Sequence, residues 1–194
     1  MNAAAVILAA GESRRMGFPK ALLRYRQDTF LDTLTGIFST CCSQVIVVLG
    51  AHADRIRESA RLPATFVTNA DYLLGQTTSM QCGLRAVAPD ADGVLFTLVD
   101  HPALASATLD ALLAGRGMPA PLLRVPRYKE SRGHPIWFHR HLIAEFLALP
   151  PSGAARDIVR AHAAQTEFLD VDDPGILADI DDAEAYARLT GATR

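Results

Sequence analysis

Hydrophobic positions in this sequence form short apolar runs that alternate with segments whose apolar residues recur at helical spacing. Residues 3–8, 44–49 and 93–99 are apolar with almost no polar alternation, which predicts strands buried on both faces. Shorter runs predict further strands at 64–67, 122–125, 132–138 and 166–171. Helical spacing predicts helices at 29–40, 53–60, 105–114, 142–147 and 182–189. We therefore expect one α/β domain over residues 1–194, a three-layer sandwich with a mainly parallel sheet.

Composition narrows the function classes without choosing among them. The chain has 194 residues, 49% of them hydrophobic and 21% charged, which is typical of a globular domain. A net charge of −2 and dispersed arginines give no reason to expect nucleic-acid binding. We find no signal-peptide pattern and no apolar run of membrane length, and the three cysteines lack disulfide or metal spacing. We expect a cytoplasmic protein with reduced thiols.

Chemistry first enters in the loop after the first strand, LAAGESRRMGFPK at residues 8–20. The small residues Ala9, Ala10 and Gly11 let a ligand approach the backbone, and Arg15 and Lys20 add fixed positive charge. The loop matches neither the dinucleotide fingerprint nor the Walker pattern. It predicts a polyphosphate site of another kind, or else an ordinary strand-to-helix turn with solvated arginines.

Polar residues also follow two later strands. Asp100 ends the strand predicted at 93–99, where the carboxyl ends of parallel strands form ligand sites. Its carboxylate beside a triphosphate predicts a Mg²⁺ ligand, or else a residue that closes a turn before Pro102. Asn69 follows the strand predicted at 64–67. Beyond it, Thr78 or Ser79 could cap a helix that runs to about residue 87.

The pattern L-A-A-G-x-S-x-R-M-G-x-x-K resembles the nucleotidyltransferases of the molybdenum-cofactor type, and most of all the molybdenum cofactor cytidylyltransferases. This resemblance implies that the nucleotide contacts Leu8, Ala9, Ala10, Gly11, Lys20, Asn69 and Ser79. It implies metal ligation by Asp100 and by Asp181, although the acids near Asp181 could instead favour the start of a helix. It places Gly133 and His134, from a G-H-P element, near the acceptor substrate. Without the resemblance, His134 is more typical of a structural turn.

The activity implied by the resemblance is Mg²⁺-dependent transfer of a nucleoside monophosphate to a phosphorylated acceptor such as molybdopterin, with release of pyrophosphate. Arg15 and Lys20 would be the catalytic cations. Ala10, where guanylate-transferring relatives have glycine, favours CTP, and a molybdoenzyme or chaperone would be a partner. Two alternatives stay open. The acceptor could be a sugar phosphate or methylerythritol phosphate, or the chain could be a non-catalytic nucleotide-binding protein of the same fold.

Overall fold

The computed structural model describes residues 2–114 and 121–191. Its strands are β1 Ala3–Ala9, β2 Arg24–Tyr25, β3 Asp28–Thr29, β4 Gln44–Leu49, β5 Thr65–Thr68, β6 Gly93–Leu98, β7 Leu123–Tyr128, β8 Ser131–Arg132, β9 Ile136–His139 and β10 Thr166–Asp170. Its α-helices are α1 Phe30–Ser39, α2 Ala53–Ser59, α3 Gln76–Arg85, α4 Ser106–Leu113, α5 Ile143–Ala148, α6 Ala155–Ala161 and α7 Ala183–Thr190. None of the helices in the described ranges has the length and apolar character needed to cross a membrane.

One mixed sheet contains eight of the strands. Its order is β10-β7-β9-β6-β1-β4-β5, and β8 pairs with β7. The pairs β1–β4, β1–β6, β4–β5 and β10–β7 are parallel, whereas β9 runs antiparallel to both β6 and β7. The short β2–β3 hairpin stands apart from this sheet. The prediction of an α/β fold with a mainly parallel sheet is confirmed.

Strand β1 lies at the centre of the sheet and contributes to both faces. Ala5 and Ile7 pack in one apolar cluster with residues from α1 and α4, while Val6 and Leu8 pack in a second with residues from α3 and α5. This two-residue alternation explains why β1 is apolar at every position. Helices therefore cover both faces of the sheet, as the three-layer prediction required.

The order of the strands places an opening beside β1. The chain proceeds from β1 to β4 and β5 on one side and then returns to β6 on the other side. Such a reversal separates the two connections that leave the carboxyl ends of neighbouring parallel strands, and it leaves a crevice there. Two backbone hydrogen bonds fix its walls, from Val99 N–H to Leu8 O (3.0 Å) and from Ala51 N–H to Ala10 O (3.0 Å).

Three local predictions were wrong. Helix α3 begins at Gln76, after Gly75 with φ of 123°, so neither Thr78 nor Ser79 is its N-cap. The run Pro150-Pro151-Ser152-Gly153 predicts a helix capped by Ser152, but α6 begins after Ala154, whose N–H donates to the carboxylate of Asp157. The strand predicted at 132–138 is divided into β8 and β9. The glycines and prolines of residues 115–121 predict a turn-rich segment, and most of it lies outside the described residues.

Candidate active site

The loop after β1 doubles back so that Lys20 returns to the edge of the sheet. Ser13 and Gly17 both adopt positive φ, 52° and 67°. The Gly17 N–H donates to Ser13 O (3.0 Å), and the Lys20 N–H donates to Ser13 Oγ (3.0 Å). The positive φ explains the glycine at position 17. Ser13, for which the sequence analysis gave no role, therefore ties the two ends of the turn together.

Side chains from three distant segments meet at this loop. Lys20 Nζ donates to Asp100 Oδ2 at 3.0 Å and to Asp181 Oδ1 at 2.6 Å. Arg15 Nη2 donates to Asp181 Oδ2 at 2.7 Å. Arg14 instead pairs with Glu12. Four of the residues predicted to carry the chemistry, Arg15, Lys20, Asp100 and Asp181, therefore form one ion-pair network.

The segment before α7 adds a residue that the sequence analysis did not assign. Ile180 is buried, and its N–H donates to Asp100 O at 3.1 Å, which ties this segment to the end of β6. On either side of Ile180, Asp179 and Asp181 each offer a carboxylate oxygen, and these lie within 4.8 Å of each other and of one from Asp100. In an extended segment residues i and i+2 share a side. The spacing Asp-x-Asp was the signal that could have revealed Asp179.

The charges of this cluster shift its pKa values in opposite directions. Burial lowers the pKa of Lys20, but hydrogen bonds and charge from Asp181 and Asp100 outweigh it and raise the pKa overall. The hydrogen bond from Lys20 is the main cause that lowers the pKa of Asp181. Partial loss of solvent, together with the negative charges of Asp100 and Asp181, raises the pKa of Asp179 to about 6. Asp179 is therefore the carboxylate that the existing positive charges compensate least.

A cleft of about 360 Å³ opens above the network. Of the residues predicted to bind nucleotide, it is lined by Leu8, Ala9, Ala10, Gly11, Lys20 and Ser79. Asn69 is instead buried behind the wall, where its Nδ2 donates to Ser79 Oγ and Thr78 Oγ1, both at 3.0 Å. Through this hydrogen bond, Asn69 is placed to orient the hydroxyl group of Ser79.

A second cleft of about 680 Å³ adjoins the first, and Gly75 and Gln76 line both. It contains the predicted acceptor residues Gly133 and His134. Its other lining side chains combine apolar walls with arginines, and they include Met80, Phe96, Val125, Ile136, Val159, Arg132, Arg156 and Arg160. The site thus offers two neighbouring chambers that both carry positive charge.

The sequence profile of the MobA-like NTP transferase domain matches residues 5–166 of this chain. The chain belongs to this family. Transfer of a nucleotide from a nucleoside triphosphate is the activity of MobA-like NTP transferases, and the nucleoside triphosphate is their common substrate.

Relatives of this chain carry names that describe different activities. The chain is 34% identical to nicotine blue oxidoreductase of Paenarthrobacter nicotinovorans, over 95% of this chain and 94% of that protein. It is 29% identical to molybdenum cofactor cytidylyltransferase of Escherichia coli K12, over 75% of this chain and 74% of the other. The crystal structure of Rv0371c from Mycobacterium tuberculosis H37Rv in complex with manganese superposes with a TM-score of 0.81, at 29% identity and full coverage of both chains.

MobA-like NTP transferases use a divalent cation, and the acidic cluster of this chain fits one. Asp100 Oδ1 is buried and has no hydrogen-bond partner within residues 2–114 and 121–191. Together with Asp179 and Asp181 it forms an oxygen-only donor set, the kind that Mg²⁺ and Mn²⁺ prefer. These three carboxylates would hold the cation at the floor of the first cleft.

Two histidine rings pack against each other beside Asp100, and one of them, His134, lines the second cleft. The ring of His101 lies 5.1 Å from that of His134. Burial, reinforced by the charge of His134, lowers the pKa of His101 to about 4 although Asp100 opposes the shift. Burial also lowers the pKa of His134, whose Nδ1 lies 3.5 Å from Phe96 O. Both rings are therefore mainly neutral at pH 7 and add no positive charge beside Asp100.

Proposed function

We propose that this MobA-like NTP transferase transfers CMP from CTP to a phosphorylated acceptor of the molybdopterin type and releases pyrophosphate. The observation that carries the proposal is the network of Lys20, Arg15, Asp100 and Asp181 at the floor of the first cleft. Fixed cations and carboxylates are what a triphosphate and its divalent cation require. The adjoining arginine-rich cleft supports a second, anionic substrate.

In the proposed reaction, an oxygen of the acceptor phosphate attacks the α-phosphorus of CTP and pyrophosphate leaves. The protein contributes alignment of two anions and compensation of the charge that develops on the leaving group. Lys20 and Arg15 supply that compensation from the loop. A divalent cation held by the carboxylates supplies Lewis-acid polarisation of phosphoryl oxygens when it is bound.

The preference for CTP rests on Ala10. This residue lines the first cleft, and its carbonyl oxygen accepts the N–H of Ala51 at 3.0 Å. Behind it, a Cβ built on Gly50 would lie 2.7 Å from the same oxygen, so the backbone has little room to retreat. The methyl group of Ala10 therefore narrows the space for a base, which favours a pyrimidine by about 1–3 kcal/mol.

The test is release of pyrophosphate by purified protein with Mg²⁺, molybdopterin and equal concentrations of CTP, GTP and ATP. We expect pyrophosphate release with preferential consumption of CTP. Lys20→Ala should slow the transfer, and Asp100→Asn should raise the Mg²⁺ concentration required. Consumption of GTP instead would overturn the choice of base alone. Folded, nucleotide-binding protein that releases no pyrophosphate with any phosphorylated acceptor would refute the transferase assignment for this chain.

The relative named nicotine blue oxidoreductase favours a second candidate, reduction of a heterocyclic compound. A nicotinamide dinucleotide would place its pyrophosphate on the same loop, and the apolar walls of the second cleft suit a flat ring system. Absorbance of reduced nicotinamide at 340 nm separates the two candidates. Its oxidation in the presence of nicotine blue, without any pyrophosphate released from CTP, would decide for the oxidoreductase.

A further inference from the structure

Lys20 occupies the position between the carboxylates that would bind the cation. Its ammonium group contacts Asp100 Oδ2 at 3.0 Å and Asp181 Oδ1 at 2.6 Å, and its side chain is only 13% exposed. Arg15 holds the second oxygen of Asp181. Two acceptors of the cluster are left with less compensation, the buried Asp100 Oδ1 and the carboxylate of Asp179.

An ammonium group and a divalent cation that both contact the same carboxylates at close range repel each other, so each weakens the binding of the other. We propose that Lys20 is the resident counter-ion of this cluster, which gives way when the phosphates of a nucleotide attract it, so that Asp100, Asp179 and Asp181 take up the divalent cation. The inference rests on the proposed nucleotide site. It assigns Asp179 as a third cation ligand and makes Lys20 a competitor of the cation in the nucleotide-free protein.

If Lys20 only helped to hold the carboxylates in place, its removal would weaken binding of the divalent cation. If it is the counter-ion, its removal should strengthen that binding. Without Lys20, three neighbouring carboxylates are left with Arg15, whose side chain is 70% exposed and therefore well screened. We expect Lys20→Met to tighten Mn²⁺ binding to the nucleotide-free protein, by roughly tenfold from the loss of one adjacent positive charge. The same substitution should weaken binding of a non-hydrolysable CTP analogue, because the phosphates lose a partner.

The experiment is titration of Mn²⁺ into nucleotide-free protein, followed by the electron paramagnetic resonance signal of free Mn²⁺. Lys129→Met is a matched control, because Lys129 is the other lysine of the sequence and lies on the β7–β8 turn. Lys20→Gln repeats the test in case the methionine variant does not fold. Affinity equal to or weaker than that of the wild type in the folded Lys20 variants would overturn the counter-ion role.

The role of Asp179 is tested in the same titration. Asp179→Asn should weaken Mn²⁺ binding, whereas Asp182→Asn removes the same charge three residues along the chain and should not. Equal effects of the two variants would show that Asp179 is not a ligand. Because these measurements need no turnover, they stand whether or not pyrophosphate is released, and so they can fail separately from the proposed function.

Discussion

At the residue scale, the four consecutive residues 179–182 illustrate how neighbours in one polar segment acquire different tasks. Asp179 and Asp181 each bring a carboxylate oxygen into a cluster with Asp100, while Ile180 between them is buried and its N–H donates to Asp100 O. Asp182 caps α7, since its Oδ1 accepts the N–H of Ala185 at 2.8 Å. The carboxylates of Asp179 and Asp181 therefore lie in the acidic cluster with Asp100, whereas that of Asp182 stabilises the start of α7.

This difference in position predicts that one substitution affects only the stability of the protein and another only its dependence on the divalent cation. Asp182→Ala removes the cap of α7 and should lower the free energy of unfolding by about 1 kcal/mol, with Mn²⁺ affinity unchanged. Asp181→Asn should reduce nucleotidyl transfer at limiting Mg²⁺ and leave α7 capped. Urea denaturation and a Mg²⁺ titration of activity, made on both variants, measure the two effects. Loss of metal dependence in Asp182→Ala would contradict this division.

The sequence sufficed for those site residues whose type and position both carry a signal. Lys20 and Asp100 follow strands that could be recognised from apolar runs, so their meeting at one edge of the sheet could be predicted. Asp179 was not among the predicted residues, because the resemblance implied only one metal carboxylate in this run of acids and assigned it to Asp181. Asn69 was expected to contact nucleotide, but its burial behind Ser79 depends on how β5 and α3 pack, which no local pattern encodes.

At the element scale, α3 depends on close contact with the sheet. A Cβ added to Gly83 would lie 2.6 Å from Val6 Cγ1 and 2.7 Å from Val48 Cγ2. Glycine at this position therefore lets the helix approach β1 and β4, which in turn holds Ser79 at the wall of the first cleft. Because α3 has no side-chain cap, its close packing against β1 and β4 fixes its position.

We predict that Gly83→Ala destabilises the protein by about 1–3 kcal/mol, because the added methyl group forces α3 away from the sheet. Gly36→Ala is the matched control. Gly36 lies in α1, and its added Cβ would meet only Leu62 Cδ1, at 3.4 Å. There the helix propensity of alanine should be neutral or stabilising. Thermal denaturation of both variants makes the comparison, and equal melting temperatures would show that α3 tolerates the displacement.

The start of α1 carries a pH-dependent contribution to stability. Burial would raise the pKa of Asp32, but hydrogen bonds from the Arg61 N–H, Thr29 Oγ1 and the Arg61 side chain together lower it. A lowered pKa means that this stabilisation is present above the ordinary value of 3.8 and is lost as the pH falls below it.

Asp32→Asn should therefore lower the free energy of unfolding at pH 7, by about 1–3 kcal/mol for a buried acceptor of several hydrogen bonds. The difference from the wild type should stay constant above about pH 5 and shrink as the pH falls below 3.8 towards the lowered pKa of the folded carboxylate. Asp28→Asn is the control, since Asp28 also pairs with Arg61 but is about half exposed. A difference that stays constant across this pH range would show that the charge of Asp32 contributes nothing.

At the scale of the whole molecule, the order of strands in the sheet brings Lys20, Asp100 and Asp181 together although they are far apart in the sequence. The buried strands β1, β4 and β6 could be predicted from apolar runs alone, because buried parallel strands are continuous in hydrophobicity. The antiparallel insertion of β9 between β6 and β7 could not, because its short run reads the same in either direction. This insertion places His134 and the second cleft beside Asp100, so the position of the second cleft depends on the part of the fold that was least predictable.

The arrangement of two chambers predicts that the arginines of the second cleft act on the acceptor and not on the nucleotide. Arg156 and Arg160 lie on α6 with exposed side chains that line this cleft and not the first one. The double variant Arg156→Ala/Arg160→Ala should raise KM for the phosphorylated acceptor by roughly tenfold, with kcat and the KM for CTP nearly unchanged. Because exposed charges are screened, raising the salt concentration should increase the acceptor KM of the wild type more than that of the variant.

Arg188→Ala on α7, which removes an arginine that pairs with Glu184 and lines neither cleft, is the control. A rise in the KM for CTP with no change for the acceptor would assign the second cleft to the nucleotide and reverse the proposed order of the two substrates.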